Sequence, residues 1–257
     1  GGILNNFGDI RTKNLANTNI LYWNDRVFAL YEAGRPVEID GKTLDTRENG
    51  KEEFDFDGLV PEGQVLSFGL PRELESKIGL GGKAFTAHPH VDPTGDVLCA
   101  WCWRSFVYPE KAVEISFHEF PRNSFVPEKT IVARLEGCEA APHDFGVTPK
   151  YYAMAVNNLT IDPLPYIAGL KGAGECLVSQ PDLPLKFYII PRDGSSSPTV
   201  IEGPSKAFEI HTPFAHDGVP IDDSFAVPSS EANDEFMTLY SAGWDDFKEG
   251  TFLGEWG

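Results

Sequence analysis

Positive charge is scarce in this chain: 21 lysines and arginines stand against 39 aspartates and glutamates, a formal charge of −18 over 257 residues. Phosphate backbones repel such a polyanion, so nucleic acid is excluded as a partner and broad electrostatic docking on anionic lipid is disfavoured. Long apolar runs are missing too. The longest, residues 97–103, falls far short of the roughly 20 residues of a spanning helix, and the chain reads as soluble. Four cysteines (Cys99, Cys102, Cys138, Cys176) are too few for a disulfide framework at this length. Cys99 and Cys102 form a lone C-x-x-C within an apparent strand, where a spacing of three points them to opposite faces. They read as structural thiols, and an intracellular setting, plastid or cytoplasm, is the expectation. No Ser-His-Asp or paired-carboxylate pattern stands out, and no stretch sustains a long 3.6-residue apolar period. The opening Gly1-Gly2 carries neither methionine nor a signal or transit pattern, so the chain is expected to be a piece of a longer protein.

What is present is turn-rich and apolar enough to fold. Hydrophobic residues make up 41% and aromatics 12%, which excludes a disordered chain, while 25 glycines and 20 prolines suit many tight turns. Asn19–Trp23 and residues 27–31 flank Asn24-Asp25-Arg26, a hairpin signal, and a second hairpin is expected around Asp40-Gly41. Residues 47–82 turn charged and then rich in glycine and proline. They read as a long inserted loop with a short helix over 73–80. Strand signals return at Ala84 and continue through residues 85–88, 97–103, 112–120, 130–135, 151–156, 185–190, 199–201, 207–211 and 236–240. In 112–120 the alternation places Val113, Ile115 and Phe117 on an apolar face and Glu114, Ser116 and His118 on a polar one. Many short strands joined by Gly, Pro and Asp turns predict an all-β barrel, sandwich or propeller.

Six histidines are the chemically informative residues. His118 reads as a surface or hydrogen-bonded residue, His216 in Ala215-His216-Asp217-Gly218 as a turn residue, and His90 as a surface group or one standing behind a ligand. His88, His143 and His211 differ, because each lies at a strand edge or turn beside aromatic and small residues. They are 55 and 68 positions apart, about the length of a four-stranded unit or slightly more. Corresponding positions of successive propeller blades converge on the central axis, where three imidazoles would surround one divalent metal ion.

Several motifs carry a family likeness. Asn14-Leu15-Ala16-Asn17-Thr18-Asn19 precedes Arg26-Val27-Phe28-Ala29-Leu30-Tyr31-Glu32-Ala33-Gly34-Arg35-Pro36 and Thr43-Leu44-Asp45-Thr46. Phe85-Thr86-Ala87-His88-Pro89 follows with its Asp92-Pro93-Thr94-Gly95 turn, then His143-Asp144-Phe145-Gly146-Val147-Thr148. In this order and spacing the chain resembles the carotenoid cleavage oxygenases over most of its length. The resemblance implies a seven-bladed β-propeller with Fe(II) on its axis, held by four histidines. Residues 1–257 would form a partial propeller domain, roughly the middle half, with the family's C-terminal blades missing. His88, His143 and His211 match the first three ligands, and the fourth lies beyond this chain. Glu32 matches the first of the glutamates that orient the ligating imidazoles, with His143 as its partner by family analogy.

The implied chemistry is cleavage of a C=C bond in a carotenoid or apocarotenoid, with O2 as co-substrate and aldehyde or ketone products. The implied partner is an apolar polyene, and the resemblance leaves room for peripheral membrane contact in the full-length protein. The fragment alone is expected to be inactive. Phe85, Phe145, Phe214 and Trp103 are candidates to line an apolar tunnel, with core packing as the competing role. Two departures from the family pattern stand out: Phe214-Ala215-His216-Asp217 replaces the usual Asn-Ala-aromatic-Glu run, and the 47–82 segment is unusually long. Tyr31 stands where stilbene-cleaving members commonly carry a lysine, which favours the carotenoid side. A stilbenoid-cleaving oxygenase, a retinoid-type isomerohydrolase, a three-histidine zinc hydrolase and a non-catalytic binding propeller are the alternatives.

Overall fold

The computed structural model describes residues 14–47, 54, 65–162, 164–165, 168, 170–172, 174–218, 237–247 and 250–251. Among these the strands form five sheets, and the all-β expectation holds. The first sheet is β1 (Asn19–Trp23), β2 (Arg26–Leu30) and β3 (Val37–Ile39). Asn24 and Asp25 make its first turn at φ 50° and 60°, the left-handed pair that a two-residue hairpin of this twist requires. The expected second hairpin shrinks to β3 and a single Ile39–Thr46 bridge.

The second sheet is built on two long strands, β7 (Val97–Phe106) and β8 (Ala112–Pro121), with β9 (Lys129–Glu136) on the far side. Its other edge is divided among β4 (Leu66–Ser67), which runs parallel to β7, and β5 (Ala84–Phe85) and β6 (His90–Val91), which run antiparallel. The segment read as an inserted loop therefore supplies β4, helix α1 (Arg72–Lys77) and the buried Phe54; residues 48–53 and 55–64 lie outside the described residues. Buried Glu75 on α1 accepts from Phe68 N–H (2.6 Å) and Ser67 Oγ (3.0 Å), which ties the helix to β4.

The third sheet holds β10 (Gly146–Val147), β11 (Tyr151–Val156), β14 (Pro184–Pro191) and β15 (Thr199–Ser205); β12 (Leu159–Ile161) and β13 (Leu177–Ser179) form a side hairpin. The last hairpin pairs β16 (Phe208–Asp217) with β17 (Met237–Trp244), while β18 (Gly250–Thr251) joins β13. The strand expected at 236–240 is thus β17, and Phe236 lies outside the described residues. No helix among the described residues is long and apolar enough to cross a membrane.

Two apolar clusters glue consecutive sheets. Leu21, Phe28, Phe54, Phe85, Leu98 and Phe120 fill the space between sheets one and two. Trp101, Ile115, Phe117, Phe145, Tyr152 and Ile190 fill that between sheets two and three, with Phe117 stacked on Tyr152 at 4.1 Å. The second sheet is therefore covered on both faces, as a sheet packed between layers must be. This corrects the polar face expected for β8: Ser116 and His118 are buried, at 0% and 4% exposure, because a second layer lies where solvent was expected. The cysteines are all free and buried, with Cys99 in one cluster and Cys102 in the other, so the opposite-face reading stands.

Candidate metal centre

Each of the three histidines sits on or beside the first, edge strand of its sheet. His88 lies between β5 and β6, His143 three residues before β10, and His211 within β16. Thr86 donates its N–H to Trp101 O (2.8 Å), and its Oγ1 accepts from His88 N–H (3.0 Å), which turns His88 off the strand line before Pro89. Gly146 lets β16 approach β10. A Cβ there would stand 2.7 Å from Ala215 Cβ and 2.8 Å from Leu239 Cδ1, so any larger residue would push His211 away from His143.

The rings converge. His88 Nε2 lies 3.0 Å from His143 Nε2, and ring centroids are 4.7 Å apart for His88–His211 and 5.2 Å for His143–His211. One ligating nitrogen from each falls within 4.8 Å of the others. Two of the rings are backed by carboxylates: His143 Nδ1 by Glu32 Oε2 at 2.7 Å, and His211 Nδ1 by Asp144 Oδ2 at 3.3 Å. His88 instead faces the Asn19 amide, 3.4 Å from Nδ1. Burial drives the His88 imidazole down to about 4, with Asp144 opposing in part. Burial also depresses His143, but the hydrogen bond and charge of Glu32 outweigh it and the net shift is upward. Two bare imidazole nitrogens 3.0 Å apart repel unless a proton or a cation is shared between them. A neutral ring whose far N–H meets a carboxylate is also the usual form of a metal-ligating histidine. The donor set fits a divalent first-row ion.

Other expected residues fall elsewhere. Phe85 and Phe145 are core rings at 1% and 0% exposure, so packing is the role they take. Trp103 is half-buried and donates Nε1–H to the main-chain oxygen of Glu32 (2.7 Å), bracing the strand end that carries the carboxylate. Phe214 is exposed and rests near Tyr240 and His216. His216 is buried within β16 rather than set in a turn, because the strand runs six residues past His211. His90 stands behind the centre, with Nε2 2.8 Å from Asp144 Oδ1.

Sequence reasoning missed Asp144 and Glu209. Asp144 was in plain sight beside His143, and a lone acid next to a strand-edge histidine was the available signal. Burial pushes its carboxyl up, but His90 and the Phe145 N–H outweigh that and hold it below the usual carboxylate range. Glu209, two residues before His211, is 3% exposed and bonded to Thr212 Oγ1 (2.8 Å); burial raises it to about 7.

The family model described as retinal pigment epithelial membrane protein (RPE65) matches residues 2–249. The chain belongs to the RPE65 family of carotenoid cleavage oxygenases. Apocarotenoid-15,15'-oxygenase of Synechocystis sp. is 31% identical to this RPE65-family chain, over 97% of the chain and 46% of the relative. Resveratrol cleavage oxygenase 1 of Aspergillus fumigatus is 28% identical over 75% of the chain and 32% of its own length. Isoeugenol monooxygenase of Pseudomonas nitroreducens is 27% identical over 72% and 32%. A crystal structure of cobalt-substituted Synechocystis ACO superposes with a TM-score of 0.64 at 26% identity, covering 97% of this chain and 44% of that one. A crystal structure of an ACO/RPE65 chimera gives a TM-score of 0.64 at 30% identity over 84% and 40%. The chain thus spans less than half the length of these RPE65-family relatives.

Proposed function

We propose that the full-length protein is a non-haem Fe(II) dioxygenase that cleaves one C=C bond of a carotenoid or apocarotenoid with O2, leaving two carbonyl products. The observation that carries the reading is the meeting of His88, His143 and His211, with Glu32 on the far nitrogen of His143. These three would hold the ion together with a fourth histidine from outside this chain, in a propeller that further sheets complete. Iron is read from the family, because imidazole sites bind zinc more tightly by intrinsic affinity. When bound, iron supplies the means to engage O2, which no side chain of this protein offers.

The chain's own residues do the rest. Glu32 accepts the Nδ1 proton of His143, keeps Nε2 free for the ion, and offsets charge that neutral imidazoles would leave uncompensated. Trp103 fixes the main chain of Glu32, and Asn19, bonded to Ala87 O at 3.0 Å, holds the turn that presents His88. The chemistry needs no protonic acid or base, in keeping with a centre whose carboxylates are engaged behind the rings. Tyr31, where stilbene-cleaving members carry lysine, favours a polyene over a phenolic stilbene, and the named Synechocystis relative acts on an apocarotenoid.

The test is O2 uptake by the Fe(II)-loaded full-length protein on an apocarotenoid in detergent micelles, with aldehyde products counted. One O2 consumed per bond cleaved is expected, and His143→Ala should abolish both signals. Turnover without O2 uptake would instead indicate an isomerohydrolase, and cleavage of resveratrol alone a stilbenoid oxygenase. Hydrolysis by a zinc-loaded protein would indicate the hydrolase, and absence of turnover with any metal would leave the binding propeller.

A further inference from the structure

His88 and His143 stand before the edge strands β6 and β10; the turns that follow those strands border a second concavity, which shares no residue with the metal centre. Residues 92–94 after β6, residues 149–151 after β10 and the β14–β15 turn wall a half-open cleft of about 650 Å³. That volume suits a small molecule. Its charge runs against the rest of the chain. Among the described residues, Lys129, Lys150 and Arg192 line it against Asp92 and Asp193, whereas the whole chain carries 39 acids to 21 cations.

Both acids are already held. Asp92 Oδ1 accepts from Thr94 Oγ1 at 2.6 Å, and Asp92 Oδ2 lies 3.5 Å from Arg192 Nη2. Asp193 Oδ1 accepts the Ser195 N–H at 2.9 Å. Arg192 is spent inward, on Glu119 and the main-chain oxygen of Thr148. Lys129 keeps donors to spare. Its Nζ sits 3.4 Å from Glu119 Oε1, an oxygen that already takes shorter bonds from Arg192 and Tyr152, and an ammonium has three protons to donate. Lys150 is exposed on the other sheet, and its turn is fixed: Thr148 Oγ1 accepts the Tyr151 N–H at 2.9 Å, and Lys150 O accepts the Arg192 N–H at 2.8 Å.

We propose that this cleft binds a small organic oxyanion, a phosphate ester or a carboxylate, with Lys129 and Lys150 on its charged end and Tyr151, Pro149 and Pro191 against its body. A lysine ammonium takes such a group as a point charge. One lysine comes from each sheet, so the ligand would bridge the two. A metal cation would meet three positive side chains there, and a bare polyene would strip water from charged groups without replacing it. The chain's overall charge keeps a long polyanion away, whereas a small one needs only the local field. This site stands independently of the metal-centre reading.

The test is calorimetric titration of the full-length, iron-loaded protein with phenyl phosphate, benzoate and phenol as probes. One saturable site per chain is expected for an anion, the tighter of phenyl phosphate and benzoate naming the headgroup. Phenol, which lacks the charge, should bind at least about tenfold more weakly. Lys150→Gln, at an exposed position, should weaken the anion by about tenfold, and the Lys129→Gln, Lys150→Gln double variant by more. The iron-free protein should bind the anion as the iron-loaded one does, which separates the cleft from an anion caught on the metal. Phenol binding as tightly as the anions, wild-type affinity in the double variant, or loss of binding without iron would each overturn the proposal. So would failure to saturate with either anion up to about 10 mM.

Discussion

Between the second and third sheets, buried Arg192 sits with Glu119, Asp92 and Tyr152; where the histidines meet, Glu32 and Asp144 sit with imidazoles. In the first group Arg192 Nε donates to Glu119 Oε1 at 3.0 Å and Nη1 to Thr148 O at 2.9 Å, with Asp92 3.5 Å from Nη2. Tyr152 OH adds a 2.5 Å bond to the same glutamate oxygen. Burial pushes Glu119 up, but Arg192 and Tyr152 outweigh it, and the acid is held below its usual range by a cation that never loses its charge. The second group has acids of the same kind, yet their ion-pair partners are imidazoles. His88, driven down to about 4, is neutral near pH 7, and neighbouring Glu209 is pushed up to about 7. One cluster is complete as folded. On the metal-centre reading proposed above, a cation would complete the other, and that would distinguish a structural ion pair from a site.

The sharpest way to separate them is to remove the cation that is already there. Arg192→Met strands Glu119 and Asp92 in the interior, and breaking a buried pair by losing one partner costs about 3–5 kcal/mol. A urea unfolding curve of the full-length protein should show that loss, with cobalt(II) affinity of the folded variant within about twofold of wild type. Comparable losses of stability and metal affinity would mean that the two clusters are one cooperative unit. Glu32→Gln is the converse. Affinity for cobalt(II) should fall by about 10–100-fold, or roughly 1.4–2.8 kcal/mol at 1.4 kcal/mol per tenfold, with the metal-free unfolding midpoint near wild type. A large drop in that midpoint would show that Glu32 holds the fold rather than the ion.

The sequence carried most of the centre and less of its surroundings. The settings of His88, His143 and His211 at strand edges or turns singled them out, and the family motifs around them marked them as ligands of one ion. Glu32 was legible only through the family pattern; its local sequence looks like an exposed strand end. Alternation along β8 correctly sorted Val113, Ile115 and Phe117 to one face. It could not report that the opposite face is covered too, because that depends on Leu21, Phe28 and Phe54, distant in the chain. For the same reason Phe85 and Phe145 looked available to a substrate and are core rings instead. Asp144 escaped because the N–H it accepts from, that of Thr212 in β16, lies 68 positions downstream.

His118 gives the smallest effect and the finest comparison, since it is a buried imidazole that meets a hydroxyl. Its Nδ1 lies 3.0 Å from Thr130 Oγ1, and burial first, then the charge of Lys83, lowers it from 6.5 to about 4. Below pH 6.5 the unfolded chain binds a proton that the native ring refuses until about pH 4. Native stability must therefore fall across that window, while above it both states are neutral and the ring contributes no slope. His118→Gln removes this one site. Unfolding midpoints of the metal-free protein, taken in steps from pH 7.5 to 4.5, should fall less steeply for the variant than for wild type. Some slope should persist in both, because His88 is lowered in the same direction. Parallel curves would mean that His118 is protonated in the native state despite its burial.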